Sequence, residues 1–146
     1  MEKRREEDIK VVKTKEEVED FLDRLKYALN LDSTIITLQE VRHIDSKRSL
    51  EHTNKYTLAQ LFPDESPKDA LRRELKTLKY TEYIETVKDT RYPKLSDFWV
   101  FGKTYNSKDV YIKIRVEIVP RNYIFVMSFH FSIYPFTEDD FPYAKD

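Results

Sequence analysis

The strongest constraint on the fold is a run of strict alternation between Val110 and Ile118. Val or Ile occupies every second position of this run, and the positions between them hold Tyr111, Lys113, Arg115 and Glu117. Successive side chains of a β-strand point to opposite faces, so the run predicts a half-buried strand with one apolar and one polar face. The whole stretch 98–132 predicts three antiparallel strands joined by two short turns.

The pairing of the second and third strands follows from burying their apolar residues on one face. Every second residue from Tyr123 to Phe131 is aromatic or Met. Placing this set beside the Val and Ile set pairs Ile118 with Tyr123, because a slip of one residue would turn every side chain to the other face. The same register predicts that Tyr111 lies across from His130.

The turn at residues 106–108 sets the pairing of the first two strands. A turn of three residues, a common hairpin length, pairs Lys103 with Tyr111. A two-residue turn would place Lys103 opposite Val110 and mix the two faces, so the longer turn is favoured. The sequence therefore predicts a row across the polar face with two cations beside it: Lys103, Tyr111 and His130, flanked by Lys113 and Arg115.

Helical periodicity and capping signals predict helices in the first half of the chain. Thr14 and Glu17 form a capping box before apolar residues at helical spacing, which predicts a helix over residues 15–30. Ser66 followed by Pro67 predicts the start of another helix. Shorter elements are expected at 35–38 (strand), 57–61 (helix) and 80–88 (strand). The expected class is α+β, an antiparallel sheet with helices packed on one face.

The length of 146 residues fits a single domain spanning 1–146. Residues 1–12 are of mixed charge and predict a flexible, frayed lead-in. Residues 133–146 are rich in Pro and aromatic residues, which predicts a tail laid over a sheet edge and no further strand. No stretch has the apolar run of a signal peptide or a membrane span, so we expect a cytoplasmic protein with no membrane partner.

Composition removes several classes of site. The chain has no cysteine, which removes disulfides, thiolate metal sites and cysteine nucleophiles, and its one glycine, Gly102, removes Gly-rich phosphate loops. The spacing of His43 and His52 fits no metal motif, so neither a metal site nor a cofactor is expected. The net charge is −1, but residues 88–121 hold eight Lys or Arg against four Asp or Glu, a local excess of positive charge.

The polar face of the predicted meander collects groups that suit RNA cleavage. Histidine titrates near neutral pH and can act as a general acid or base, cations bind a phosphodiester, and tyrosine stacks on a base or holds a phosphate. This inventory suits metal-free ribonuclease chemistry, in which the ribose 2′-OH attacks the neighbouring phosphate. A polar strand face also occurs as plain solvent-facing surface, and the pattern alone leaves both interpretations open. The candidates are His130, Tyr111 and Glu85 for catalysis, and Lys103, Lys113 and Arg115 for binding substrate phosphate.

The last two strands resemble a known family. Residues 109–114, DVYIKI, followed by residues 127–130, MSFH, resemble the C-terminal core of MqsR-type toxins, which are RelE-like mRNA interferases of type II toxin–antitoxin modules. In that family a V-Y-[IL]-K-I strand is followed by a V-S-F-[KH] strand. Residues 78–113 are similar to the divergent Gram-positive branch, in which an acidic E-T strand precedes an F-G-K strand. The resemblance covers about residues 75–132.

The resemblance implies a RelE-like fold, mRNA as substrate and an antitoxin protein as partner, and it leaves open whether the ribosome takes part. Tyr111 falls on the family's active-site tyrosine, and His130 falls where better-known members carry a catalytic lysine. Glu85 falls near another family lysine, and no residue clearly replaces the family's active-site glutamine. Relatives in the wider RelE-like superfamily use a glutamate base with a histidine acid, which implies Glu85 as general base and His130 as general acid.

The function expected from these patterns is that of a metal-independent endoribonuclease that cleaves mRNA and is neutralised by an antitoxin. The alternative from another class is a non-catalytic protein-binding module of a mobile element or phage, which would dock a partner through the sheet face or the aromatic tail. The near-neutral net charge and the missing glutamine favour the alternative.

Overall fold

The computed structural model describes residues 9–39, 49–118 and 120–146, and within these ranges the chain forms three α-helices and one six-stranded mixed sheet. The strands are β1 (Ile9–Val11), β2 (Ile35–Leu38), β3 (Tyr83–Lys88), β4 (Phe98–Tyr105), β5 (Lys108–Glu117) and β6 (Tyr123–Phe131). The helices are α1 (Lys15–Leu29), α2 (Asn54–Leu61) and α3 (Pro67–Glu74). The strand order is β1-β3-β4-β5-β6-β2, antiparallel except for β2, which runs parallel to β6. The predicted α+β class is confirmed.

The three helices pack on one face of the sheet, called here the helical face, and share its apolar core. α1 begins after the predicted capping box of Thr14 and Glu17, and it buries six apolar side chains: Val18, Phe21, Leu22, Leu25, Ala28 and Leu29. Phe21 stacks on Trp99 of β4 with 4.4 Å between ring centroids. α2 begins before the predicted residue 57, because the side chain of Thr53 caps it.

None of the helices in the described ranges combines the length and the apolar character needed to cross a membrane.

The predicted meander is present as β4, β5 and β6, and Tyr111 pairs with His130 as predicted. The predicted register holds as far as Lys113 and Ser128 and is wrong beyond that pair, because a β-bulge at Met127 pairs Ile114 with Val126. A bulge inserts one extra residue into a strand and so reverses which face the residues beyond it occupy. Residues on both sides of the bulge therefore reach the core of the helical face: Ile124, Val126, Phe129 and Phe131. Alternation could not reveal the bulge, since β6 is apolar at both parities.

The turn between β4 and β5 was also predicted wrongly. It has two residues, Asn106 and Ser107, with φ values of 51° and 68°. Two-residue turns with positive φ match the right-handed twist of the flanking strands, and asparagine enters this region more readily than most residues. The shorter turn places Lys103 opposite Val110 and Gly102 opposite the next residue of β5.

The edge beyond β3 is formed by a segment for which the sequence predicted no regular structure. Ile9 pairs with Lys88 and Val11 with Thr86, so the prediction of a frayed lead-in was wrong for residues 9–11. Alternating β-branched side chains suit a short edge strand. Residues 1–8 and His43 lie outside the described residues.

The outer edge of β6 is covered by β2 over its first four residues only, and buried side chains cover the remainder. Asn54 Nδ2 donates to the carbonyl oxygen of Met127 at 3.0 Å, and Asn54 Oδ1 accepts from the N–H of Phe129 at 2.8 Å. Thr57 Oγ1 accepts from the N–H of Phe131 at 2.9 Å. A buried strand edge needs partners for its backbone groups. These two side chains supply them and fix the end of β6.

Replacing Asn54 with Ala leaves several backbone groups at this edge without a partner. Since a buried unsatisfied polar group costs about 1–3 kcal/mol, we expect the free energy of unfolding to fall by about 3 kcal/mol in urea denaturation. Lys55→Ala, at an exposed position of the same helix, should change it by less than about 0.5 kcal/mol. Similar losses for the two variants would contradict the role given to Asn54.

Candidate functional site

The second face of the sheet, opposite the helices, carries a partly open cavity of about 690 Å³. Its floor comes from three strands: Ile84, Glu85, Val87, Tyr111, Lys113, Met127, Ser128 and His130. Lys10 of β1 lies at one side, and residues 132–137 with Asp140 form a wall. Four of the six predicted site residues therefore line one cavity. Lys103 and Arg115 are not among its described lining residues.

Tyr111 and His130 form the centre of this floor. They are cross-strand partners on β5 and β6, and their rings stack with 5.6 Å between centroids and 28° between planes. Directly opposite residues of an antiparallel pair have Cβ atoms about 4.5–5.5 Å apart, which brings the two rings into contact. His130 is buried, with 3% of its residue surface exposed. Only a small part of the imidazole is therefore accessible from the cavity.

The backbone carbonyl of Phe131 orients the His130 ring. His130 Nδ1 lies 2.9 Å from this oxygen, and because a carbonyl oxygen can only accept, Nδ1 carries the proton. Nδ1 of His52 lies 3.2 Å from the same oxygen. No role was predicted for His52 from the sequence, and no local signal could have found this contact, because its partner is a backbone atom far along the chain.

Charged side chains stand at two places in the cavity. Lys113 lies on the floor, with its ammonium 5.2 Å from the centre of the Phe98 ring, a cation–π contact. Lys10 Nζ lies 3.7 Å from the carboxylate of Glu85. Sequence reasoning missed Lys10 because it assigned residues 1–12 to a frayed lead-in.

Glu85 and His130, predicted as an acid–base pair, are not close together. Strands β4 and β5 lie between them, so the backbones of Glu85 and His130 are about 14 Å apart.

Lys103 lies on the helical face, so the predicted row of Lys103, Tyr111 and His130 was wrong. Its cross-strand partner is Val110, which belongs to the core of that face. Its ammonium lies 3.1 Å from the carboxylate of Glu82. The two-residue turn causes this change of face, and Gly102 takes the predicted place beside Tyr111.

Arg115 is on the second face as predicted, but it is packed into the sheet beyond Lys113. Its guanidinium lies 4.3 Å from the centre of the Phe98 ring, and 9% of the residue is exposed. Carboxylates of Asp89 and Glu117 lie 3.8 and 4.0 Å from its nitrogens. A buried cation is stabilised by such counter-charges, so Arg115 holds the loop after β3 against the sheet and does not face the cavity.

The wall of the cavity is the C-terminal tail, which crosses the sheet at Gly102. A Cβ at this position would lie 2.6 Å from the ring of Phe136 and 3.0 Å from that of Phe141, so only glycine allows this approach. The Tyr143 hydroxyl donates to the carbonyl of Lys13 at 2.6 Å and ties the end of the tail down. From residue 132 to 146, all of them described, the tail forms one 3-10 turn and no strand, as predicted. The predicted position over a sheet edge was wrong at Gly102, because this residue belongs to β4, an inner strand of the sheet.

Comparisons of this chain with protein-family models, with curated proteins and with solved structures find no match. The site is therefore interpreted from its own chemistry: a histidine that can transfer a proton, lysines that can bind an anion, and aromatic rings that can stack. In the described ranges, no group of three or more His, Asp or Glu residues is placed to hold a metal ion.

Replacing Gly102 with Ala introduces a methyl group into the space of the Phe136 ring. We expect this overpacking to lower the free energy of unfolding by about 1–3 kcal/mol and to expose the tail to limited proteolysis. In a Phe136→Ala background the same change should have a much smaller effect, because the clash is absent. Equal losses in the two backgrounds would show that the tail does not depend on this contact.

Proposed function

We propose that this protein is a metal-independent endoribonuclease that cleaves mRNA, a RelE-like toxin of the MqsR type that an antitoxin protein neutralises in the cytoplasm. The observation that carries the proposal is the stacked Tyr111–His130 pair on the floor of a cavity that also contains Lys113. The resemblance of residues 75–132 to that family supports it. An antiparallel β3–β6 sheet with helices on one face is compatible with a RelE-like fold.

In this reaction the ribose 2′-hydroxyl loses its proton to solvent water in the partly open cavity, and its oxygen forms a bond to phosphorus while the bond to the 5′-oxygen breaks. The 5′-oxygen must gain a proton, and His130 donates it as general acid. The hydrogen bond from His130 Nδ1 to the Phe131 carbonyl sets the ring orientation, and Nε2 transfers the proton. Tyr111 positions the substrate against this ring.

Lys113 binds the phosphate, because a cation stabilises the charge that develops on the non-bridging oxygens. Glu85, implied by the resemblance as the general base, lies about two strands away from the Tyr111–His130 pair. It serves instead to hold Lys10 at the side of the cavity, where the ammonium can meet a neighbouring phosphate. His130 is thus the acid–base group on which the proposal depends.

Removing the cavity lysines should weaken RNA binding in a salt-dependent way. For Lys113→Gln and for Lys10→Gln, we expect lower affinity for single-stranded RNA and a log–log salt slope shallower by about 0.7 per lysine, since each phosphate contact releases counterions. Lys103→Gln removes the same charge from the opposite face and should leave the slope unchanged. Binding that does not respond to salt, or equal effects of Lys103 and Lys113, would contradict the assignment.

His130→Gln keeps the polarity and approximate size of the side chain and removes the acid. We expect RNA cleavage to slow by about 10²–10⁴-fold with little change in the unfolding midpoint. A general acid must be protonated, so the parent rate should fall as the pH rises through its pKa, and this alkaline decline should disappear in the variant.

The matched control is His52→Gln, which removes an imidazole on the same carbonyl but outside the described cavity lining. It should retain the parent rate within a few-fold. If a folded His130→Gln protein cleaves RNA at the parent rate, His130 is not the general acid and serves only as the cross-strand partner of Tyr111.

A non-catalytic protein-binding module is the second candidate function. One observation favours it: the described lining holds Lys10 and Lys113 against Glu85 and Asp140, so the cavity has no clear excess of positive charge. The tail packs on its own sheet at Gly102, which makes the sheet face the better candidate for docking. Absence of RNA binding by the folded protein would favour this function over the nuclease.

A further inference from the structure

We propose that Tyr134 is a stacking platform for one unpaired nucleobase, so that the cavity takes single-stranded RNA and not duplex RNA. This inference rests on the proposed function and narrows its substrate class. Neither the resemblance nor the predicted catalytic residues involve the tail, which supplies the platform.

Tyr134 presents its ring to solvent at the wall of the cavity. It is 70% exposed, the highest value among the large apolar and aromatic side chains that the structure describes, and it is part of the cavity lining. Exposing an aromatic ring to water forfeits its hydrophobic stabilisation of the fold. A planar ligand that covers the ring would recover that free energy.

The backbone on both sides of Tyr134 is held by Asp109 of β5. The N–H of Ser132 donates to the Asp109 carbonyl at 2.8 Å, and the N–H of Phe136 donates to the Asp109 carboxylate at 2.9 Å. The Ser132 hydroxyl also donates to the carbonyl of Tyr134. The ring is therefore presented from an ordered segment, and a ligand that stacks on it loses little conformational entropy of the protein.

The position of Tyr134 relative to His130 fits a base close to the scissile phosphate. Tyr134 follows His130 by four positions along the chain, which limits the distance between their Cα atoms to about 14 Å, and both line the same cavity. A phosphate held beside Lys113 and His130 can then belong to a strand whose neighbouring base reaches Tyr134.

Stacking on a protein ring requires a base with a free face. In a duplex each base is stacked on its neighbours, whereas bases of single strands can be splayed out onto aromatic side chains. The polar floor supplies contacts for the backbone and the exposed ring supplies a contact for the base. This combination is typical of proteins that bind single strands.

The test uses the intact protein and a short single-stranded 2′-O-methyl RNA, which binds without being cleaved because it lacks the 2′-OH nucleophile. For Tyr134→Ala we expect affinity about 5- to 150-fold weaker in fluorescence anisotropy, the effect of losing one base–aromatic stack. Tyr134→Phe should bind like the parent protein. Tyr27→Ala is the matched control, since Tyr27 is 66% exposed on α1 at the helical face, and it should also bind like the parent.

A second arm leaves the protein unchanged and replaces one nucleotide at a time with an abasic one. One abasic position should weaken binding by the same factor as Tyr134→Ala, and it should have no further effect in that variant. Parent-like binding by Tyr134→Ala, or duplex RNA bound as tightly as single strands, would overturn the stacking proposal while leaving the nuclease proposal standing. A parent protein that binds no RNA would overturn both.

Discussion

The backbone hydrogen bonds on both sides of β6 are the interactions on which the rest of the structure depends. β5 pairs with one side throughout, while the other side is shared between β2 and the buried side chains of Asn54 and Thr57. A strand edge buried without partners would cost several kcal/mol in unsatisfied groups. Because these partners exist, the end of β6 is held inside the fold, and His130 stands at a fixed place on it.

The bulge at Met127 divides β6 into two parts, and both contribute side chains to the core of the helical face. Before it, Ile124 and Val126 face the helices; after it, Phe129 and Phe131 do so. The extra residue allows both parts to bury apolar side chains in one core, while Ser128 and His130, which follow the bulge, line the cavity. Met127 and Ser128 both line that cavity. The candidate site thus lies beside an irregularity in the sheet, a place where bulges commonly re-aim side chains.

A single glycine allows the tail to pack against the floor of the cavity. Without a Cβ at Gly102, the rings of Phe136 and Phe141 can lie against β4 beside Tyr111. Residues 132–137 of the same tail close one side of the cavity. The Phe136 ring that packs on Gly102 is part of this wall, and the wall also carries Tyr134.

The sequence by itself determined the α+β class, the strands β4 to β6, the capped start of α1 and the pairing of Tyr111 with His130. These follow from local patterns: alternation along a strand, capping residues, and apolar sets that must share a face. The tertiary structure alone decided that Lys103 faces the helices, that Arg115 is buried against Asp89, and that Lys10 and the tail join the cavity. Those outcomes depend on a turn one residue shorter, on a bulge and on contacts between distant segments. Local patterns do not encode them, because each is chosen by the packing of the whole chain.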